Sequence, residues 1–218
     1  MNTQSLSIPV STGIGSISAE CIVPENVSCV LTLAHGAGAD MNHSFMVALA
    51  ESLAEMGIAT LRFNFPFTEQ KKGRPDPPAV AHKTIEVVIH KAHELFPSLP
   101  LFVSGKSFGG RMSSQYLALQ PNPIVKGIIF YGFPLHPAGK PAVERAEHLK
   151  ELKIPMLFLQ GTRDTLATWD LIESVRSSLP LATLVEIEDA DHAFKAGKQN
   201  TILILANASK NWIEKIEG

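Results

Sequence analysis

Cysteine is scarce: the chain has two in 218 residues, Cys21 and Cys29. They fall in neighbouring strand candidates and lack metal-ligand spacing. A disulfide scaffold and a zinc module are therefore excluded, and two half-buried thiols in a reducing cytoplasm are expected. An excess of one charge is also missing. The net charge is −2 at pH 7, so no basic surplus argues for nucleic acid or an anionic membrane surface as a partner. No apolar run approaches the ~18 residues that a membrane-spanning helix needs. Met1-Asn2-Thr3-Gln4-Ser5 has neither the basic start nor the apolar stretch of an export signal. There is no internal repeat and no low-complexity segment, which sets repeat architectures aside. What remains is an ordinary globular composition with 45% hydrophobic residues. It suffices for one sizeable core, and a single domain over residues 1–218 is expected.

The hydrophobic pattern alternates between two periods. Residues 3–9 and 16–23 alternate with β-branched residues and read as an antiparallel edge hairpin. Continuous apolar stretches follow at 30–34, 58–64, 101–104, 124–131, 154–160 and 183–187. Helical patterns lie between them at 43–56, 76–96, after Ser107 and at 169–179, and a last one runs over 199–216. Gly57 stops the first, and Asp76-Pro77-Pro78 reads as a capped start of the second. Buried strands alternating with helices predict an α/β fold. We expect a mostly parallel twisted sheet of about seven strands with helices on both faces. In such sheets binding groups collect at the carboxyl ends of strands.

One of those ends is Gly105-Lys106-Ser107-Phe108-Gly109, a G-x-S-x-G motif between a strand and a helix. There the serine sits on a strained turn that pushes its hydroxyl above the sheet. A serine is a weak nucleophile at neutral pH and needs an imidazole to take its proton, oriented by a carboxylate. Asp164 follows the strand at 154–160 and His192 follows the strand at 183–187. The order Ser, Asp, His is that of an α/β-hydrolase triad. The rivals are weaker. Asp170 lies inside a predicted helix, and Asp189 and Asp191 are too near His192 in sequence to reach its ring easily. His35 reads as an anchor of the loop after the strand at 30–34, and His136 lies on an excursion. An oxyanion needs N–H donors. Phe108 N–H would supply one, and Ala37 N–H the second, with Gly38 as the alternative.

Other patterns fail. Gly36-Ala37-Gly38 lacks the third glycine of a dinucleotide fingerprint, since position 41 is Met. Pro100 stands where a P-loop needs glycine. His90 and His93 have no third ligand at useful spacing and read as a solvated face. Trp169 and Trp212 read as packing residues. No metal and no cofactor are expected.

Taken together, several motifs resemble the small α/β-hydrolases related to dienelactone hydrolase. They are His35-Gly36-Ala37-Gly38-Ala39-Asp40, Arg62-Phe63-Asn64-Phe65-Pro66, Gly105 to Arg111, Pro134-Leu135-His136-Pro137, Phe158 to Asp164 and Asp191-His192. More narrowly they resemble a subfamily of bacterial and animal hydrolases. Its animal members include a testis-expressed protein and a subunit of a histone-acetyltransferase regulatory complex. The resemblance implies Ser107 as nucleophile, Asp164 as acid and His192 as base. Dienelactone hydrolase itself uses cysteine where this chain has Ser107, which speaks against dienelactone as the substrate.

The excursion at 133–150 has room for one short helix, over Ala142–Leu152, and none for a large cap. A minimal lid and an open, small pocket are expected. Phe65, Phe133, Phe108 and Leu135 are candidates for an acyl side. Lys71, Lys72 and Arg74, with Lys106 and Arg111, suggest a positive mouth and a carboxylate or phosphate on the substrate; a solvated basic loop is the plainer alternative. The expected activity is hydrolysis of a small carboxylic ester or thioester in the cytoplasm, by a monomer or homodimer. A non-catalytic interaction module on the same fold is the alternative.

Overall fold

The computed structural model describes residues 1–218. Eight strands form one sheet: β1 (Asn2–Ser11), β2 (Gly15–Val23), β3 (Cys29–Ala34), β4 (Ile58–Phe63), β5 (Leu101–Lys106), β6 (Val125–Tyr131), β7 (Met156–Gly161) and β8 (Ala182–Ile187). Their spatial order is β1-β2-β4-β3-β5-β6-β7-β8. From β4 to β8 every pairing is parallel, while β1–β2 and β2–β4 are antiparallel. The count exceeds the expected seven because both arms of the terminal hairpin join the sheet. The α/β-hydrolase fold class stands.

The helices are α1 (Ser44–Glu55), α2 (Pro66–Glu69), α3 (Pro78–Leu95), α4 (Phe108–Leu119), α5 (Trp169–Ser177) and α6 (Thr201–Glu217). The sheet separates two hydrophobic cores, because alternate residues of a strand face opposite sides. Val30, Val103, Ile128, Phe130 and Phe158 pack with α3, α4 and α5. Leu31, Leu33, Phe102, Ile129 and Tyr131 pack with α1 and α6. Burial on both faces explains why β3 to β7 read as continuous apolar runs.

Local differences have physical causes. The loop after β4 contains α2, a four-residue helix started by Pro66. Asp76 does not cap α3: Pro77 occupies the cap position without a side-chain bond, and the Asp76 carboxylate pairs with Lys72 at 2.7 Å. The excursion after β6 carries a 3₁₀ segment, Glu144–Glu151, rather than an α-helix over 142–152. It buries only Ala146 and Leu149, too little apolar face for a longer helix or a cap.

Candidate active site

β5 ends at Lys106 and α4 begins at Phe108, so Ser107 alone makes the turn. Its φ is 50° and its ψ −112°, a conformation that residues with side chains rarely adopt. The turn closes because its neighbours lack β-carbons. A Cβ on Gly105 would lie 2.3 Å from the Gly110 nitrogen, and one on Gly109 would lie 2.5 Å from the Ala34 carbonyl oxygen. The Ser107 N–H donates to the Tyr131 carbonyl at 3.2 Å, and the Arg111 N–H donates to the Ser107 carbonyl at 3.1 Å. These bonds tie the turn to β6 and to the first turn of α4.

Ser107, Asp164 and His192 come from three strand ends and meet. Ser107 Oγ lies 2.9 Å from His192 Nε2. His192 Nδ1 lies 2.7 Å from Asp164 Oδ2. A carboxylate only accepts, so the imidazole proton sits on Nδ1 and Nε2 is left to accept from the serine hydroxyl. Asp164 is 3% exposed. Its carboxylate also accepts from the Leu166 N–H at 2.8 Å and from Gln160 Nε2 at 2.6 Å. The Phe133 N–H donates to Gln160 Oε1 at 2.9 Å, which fixes the amide with its NH₂ toward Asp164.

The His192 loop is held from both sides. Asp191 Oδ1 accepts from the N–H groups of Ala193 and Lys195 at 2.8 and 2.9 Å. The Lys106 ammonium donates to the His192 carbonyl at 2.5 Å and lies 5.1 Å from the Phe194 ring centroid. Burial pushes the Lys106 pKa down to about 8, against the charges of Asp164 and Asp191. Lys106 therefore braces the histidine loop. It was expected to make the mouth positive; its side chain does line the cavity beside Ser107, while the ammonium turns to the His192 carbonyl at a cost in desolvation.

The loop after β3 lies against the serine: a Cβ on Gly36 would be 3.7 Å from Ser107 Cβ. His35 fixes its course. Its Nδ1–H donates to the Gly36 carbonyl at 2.7 Å, and its Nε2 accepts from the Phe65 N–H at 3.1 Å. Burial lowers the His35 pKa and keeps the ring neutral, as this pattern requires. Ala37 N–H donates to no group of the chain. Phe108 opens α4, where the first N–H groups have no intrahelical acceptor. Both N–H groups belong to segments that border the serine.

Two cavities meet at Ser107. One, of about 300 Å³, is lined by Gly38, Phe45, Met46, Lys106, Leu166 and His192 among others. The other, of about 370 Å³, is lined by Asp76, Phe108, Arg111, Pro134 and Arg145 among others. Ser107, Ala37 and Leu166 border both. Phe65 and Phe133, expected at an acyl side, line neither. They are 0% and 1% exposed and packed edge-on, Phe65 against His35 and Phe108, Phe133 against Phe130 and Phe158. Leu135 is likewise buried. Lys71, Lys72 and Arg74 line neither cavity.

Three residues at the site escaped sequence reasoning. Gln160 reads as the end of an apolar strand; the signal was a lone amide in a buried run. Leu166 lies in a turn where no periodicity assigns a direction, and Arg145 lies in the 3₁₀ segment, whose period differs from that of the expected α-helix. Cys21 and Cys29 are free and buried, and burial pushes each thiol up to about 11. Nowhere do three His, Cys, Asp or Glu residues gather closely enough to hold a metal ion.

The fold is shared with solved structures. The chain is similar to an α/β serine hydrolase homologue from Coxiella burnetii at 20% identity, covering 95% of this chain and 98% of the other with a TM-score of 0.77. A lidless member of the α/β serine hydrolases from Xanthomonas campestris matches at 20% identity, over 99% of this chain and 95% of the other, with a TM-score of 0.77. Dienelactone hydrolase from Anabaena variabilis matches at 19% identity over 99% of both chains, with a TM-score of 0.75. Residues 27–215 match the model of the alpha/beta hydrolase domain family, Abhydrolase_11, and the chain belongs to that family.

Proposed function

We propose that the protein is a serine hydrolase that cleaves a small carboxylic ester or thioester through an acyl-enzyme. The observation that carries this reading is the hydrogen-bonded line from Ser107 Oγ through His192 to Asp164, at 2.9 and 2.7 Å, opening onto the two cavities. Ser107 Oγ attacks the carbonyl carbon as His192 Nε2 takes its proton. Asp164 stabilises the imidazolium and keeps Nε2 facing the serine. The carbonyl oxygen becomes an oxyanion, for which the Ala37 and Phe108 N–H groups are the assigned donors. His192 returns the proton to the departing alcohol or thiol. A water molecule, deprotonated by the same imidazole, then releases the acid and restores Ser107.

The pocket volumes suit small substrates, and the short 3₁₀ excursion covers little of the site. The same reading takes the chain as a single domain acting in the cytoplasm without a cofactor. As part of this proposal the chain is taken as a member of the hydrolase subfamily that includes the testis-expressed and acetyltransferase-complex proteins, a reading supported by the resemblance of its motifs from His35 to His192. The test is steady-state hydrolysis of short p-nitrophenyl esters and thioesters by wild type and Ser107→Ala. The variant should lose at least ~10⁴-fold in kcat. Equal activity in the two proteins would refute the reading.

A further inference from the structure

The two cavities at Ser107 differ in one respect that bears on substrate orientation. His192 lines only the first. If Ser107 is the nucleophile proposed above, the leaving group must lie beside His192 Nε2, which returns its proton. The first cavity then takes the alcohol or thiol, and the second takes the acyl chain.

Two arginines, Arg111 and Arg145, line the second cavity, and neither has a carboxylate within 4.0 Å. Arg111 Nε is buried with no hydrogen-bond partner. Burial and the charge of Arg145 both push the Arg111 pKa down. The cavity's one acid, Asp76, pairs through Oδ1 with Lys72 at 2.7 Å, while its Oδ2 is buried without a partner. His148 feels the charges of Arg111 and His82, and its Nε2 lies 2.8 Å from Ser114 Oγ. Two arginines line one cavity without a carboxylate partner, and an anion between them would relieve their mutual repulsion.

The Arg111 N–H bonds the Ser107 carbonyl at 3.1 Å, so Arg111 lies one helical turn into α4 from the serine, about 6 Å along the axis. An anion a few bonds beyond the scissile carbonyl reaches it. We propose that this cavity is a carboxylate subsite and that the protein acts on esters or thioesters whose acyl half carries a second, free carboxylate, gripped by Arg111 and Arg145. The chemistry is unchanged: Ser107 Oγ bonds to the acyl carbon, the bond to the alcohol or thiol breaks, and water releases a dicarboxylate.

The test compares kcat/KM for benzyl hemiglutarate with that for its neutral isostere, in which an isopropyl group replaces the carboxylate. Wild type should favour the hemiglutarate by about tenfold to a hundredfold. Arg111→Gln and Arg145→Gln, each checked for folding by circular dichroism, should bring that ratio toward one. In parallel, titration calorimetry on Ser107→Ala measures N-benzyl glutaramate, which cannot turn over, against its neutral isostere; the anion should bind at least tenfold more tightly. Cleavage of both esters at equal efficiency, or equal binding of the two amides, overturns the subsite and leaves the hydrolase reading standing. Charge-selective binding without cleavage of either ester supports the subsite and overturns the hydrolase reading.

Discussion

Asp164→Asn separates the role of the carboxylate from that of its shape. Three donors converge on the Asp164 carboxylate: Gln160 Nε2 at 2.6 Å, His192 Nδ1 at 2.7 Å and the Leu166 N–H at 2.8 Å. The Gln160 amide cannot rotate to help, because its oxygen already accepts from Phe133 N–H. An asparagine offers one acceptor oxygen and one NH₂. With the oxygen toward Leu166, the NH₂ faces the Gln160 NH₂ and the imidazole. The imidazole then removes the clash by carrying its proton on Nε2, where it points at Ser107 Oγ and cannot accept. With the oxygen toward His192, the NH₂ meets the Leu166 N–H, a buried donor pair costing ~1–3 kcal/mol. Either way the productive tautomer is disfavoured. We expect kcat on a short ester to fall ~10⁴-fold, equivalent to ~5 kcal/mol of transition-state stabilisation. The side chain is isosteric and the site is 3% exposed, so the folded architecture should persist. Stopped-assay turnover, paired with thermal unfolding, reads both quantities. A folded Asp164→Asn protein within tenfold of wild-type kcat would refute the assignment of the acid.

Gly105→Ala should open the turn at Ser107, since its Cβ would meet the Gly110 nitrogen at 2.3 Å, a backbone atom that cannot move alone. An unfolding free energy, read by urea titration, lowered by ~1–3 kcal/mol and loss of ester turnover are expected; wild-type values for both would contradict the close approach. Lys106 has a folded pKa of about 8 against an ordinary 10.5. Between those values the unfolded chain binds more protons than the folded one, so stability rises as pH climbs from about 8 to 10.5, by up to ~3 kcal/mol. Lys106→Met should lack that rise in urea titrations across this range; an identical pH profile in both proteins would show that the ammonium is not buried in the fold.

The fold was legible because burial on both sheet faces leaves uninterrupted apolar runs in β3 to β7, and these differ from the 3.6-residue pattern of α3 and α6. Ser107 and Asp164 were nameable because each follows such a run, and His192 because it follows the last strand, β8. Residue type could not separate a pocket wall from a core: Phe65 and Phe133 are as apolar as Phe45, yet only Phe45 faces the first cavity. The direction of the Lys106 ammonium was illegible for a related reason. A lysine beside a nucleophile looks exposed in sequence, and only the approach of the His192 loop shows where its ammonium goes. Gln160 and Arg145 depend on side-chain direction at a strand end and in a 3₁₀ segment, where the 3.6-residue period does not apply.

The central claim is that Ser107 is an activated nucleophile. Intact-mass spectrometry after exposure to a fluorophosphonate reads this directly, because phosphonylation requires the serine oxygen to attack with its proton removed by a base. Wild type should gain one phosphonyl group at Ser107, and Ser107→Ala should gain none. A correctly folded wild-type protein that takes up no label, or a Ser107→Ala protein labelled as fast as wild type, would contradict the account.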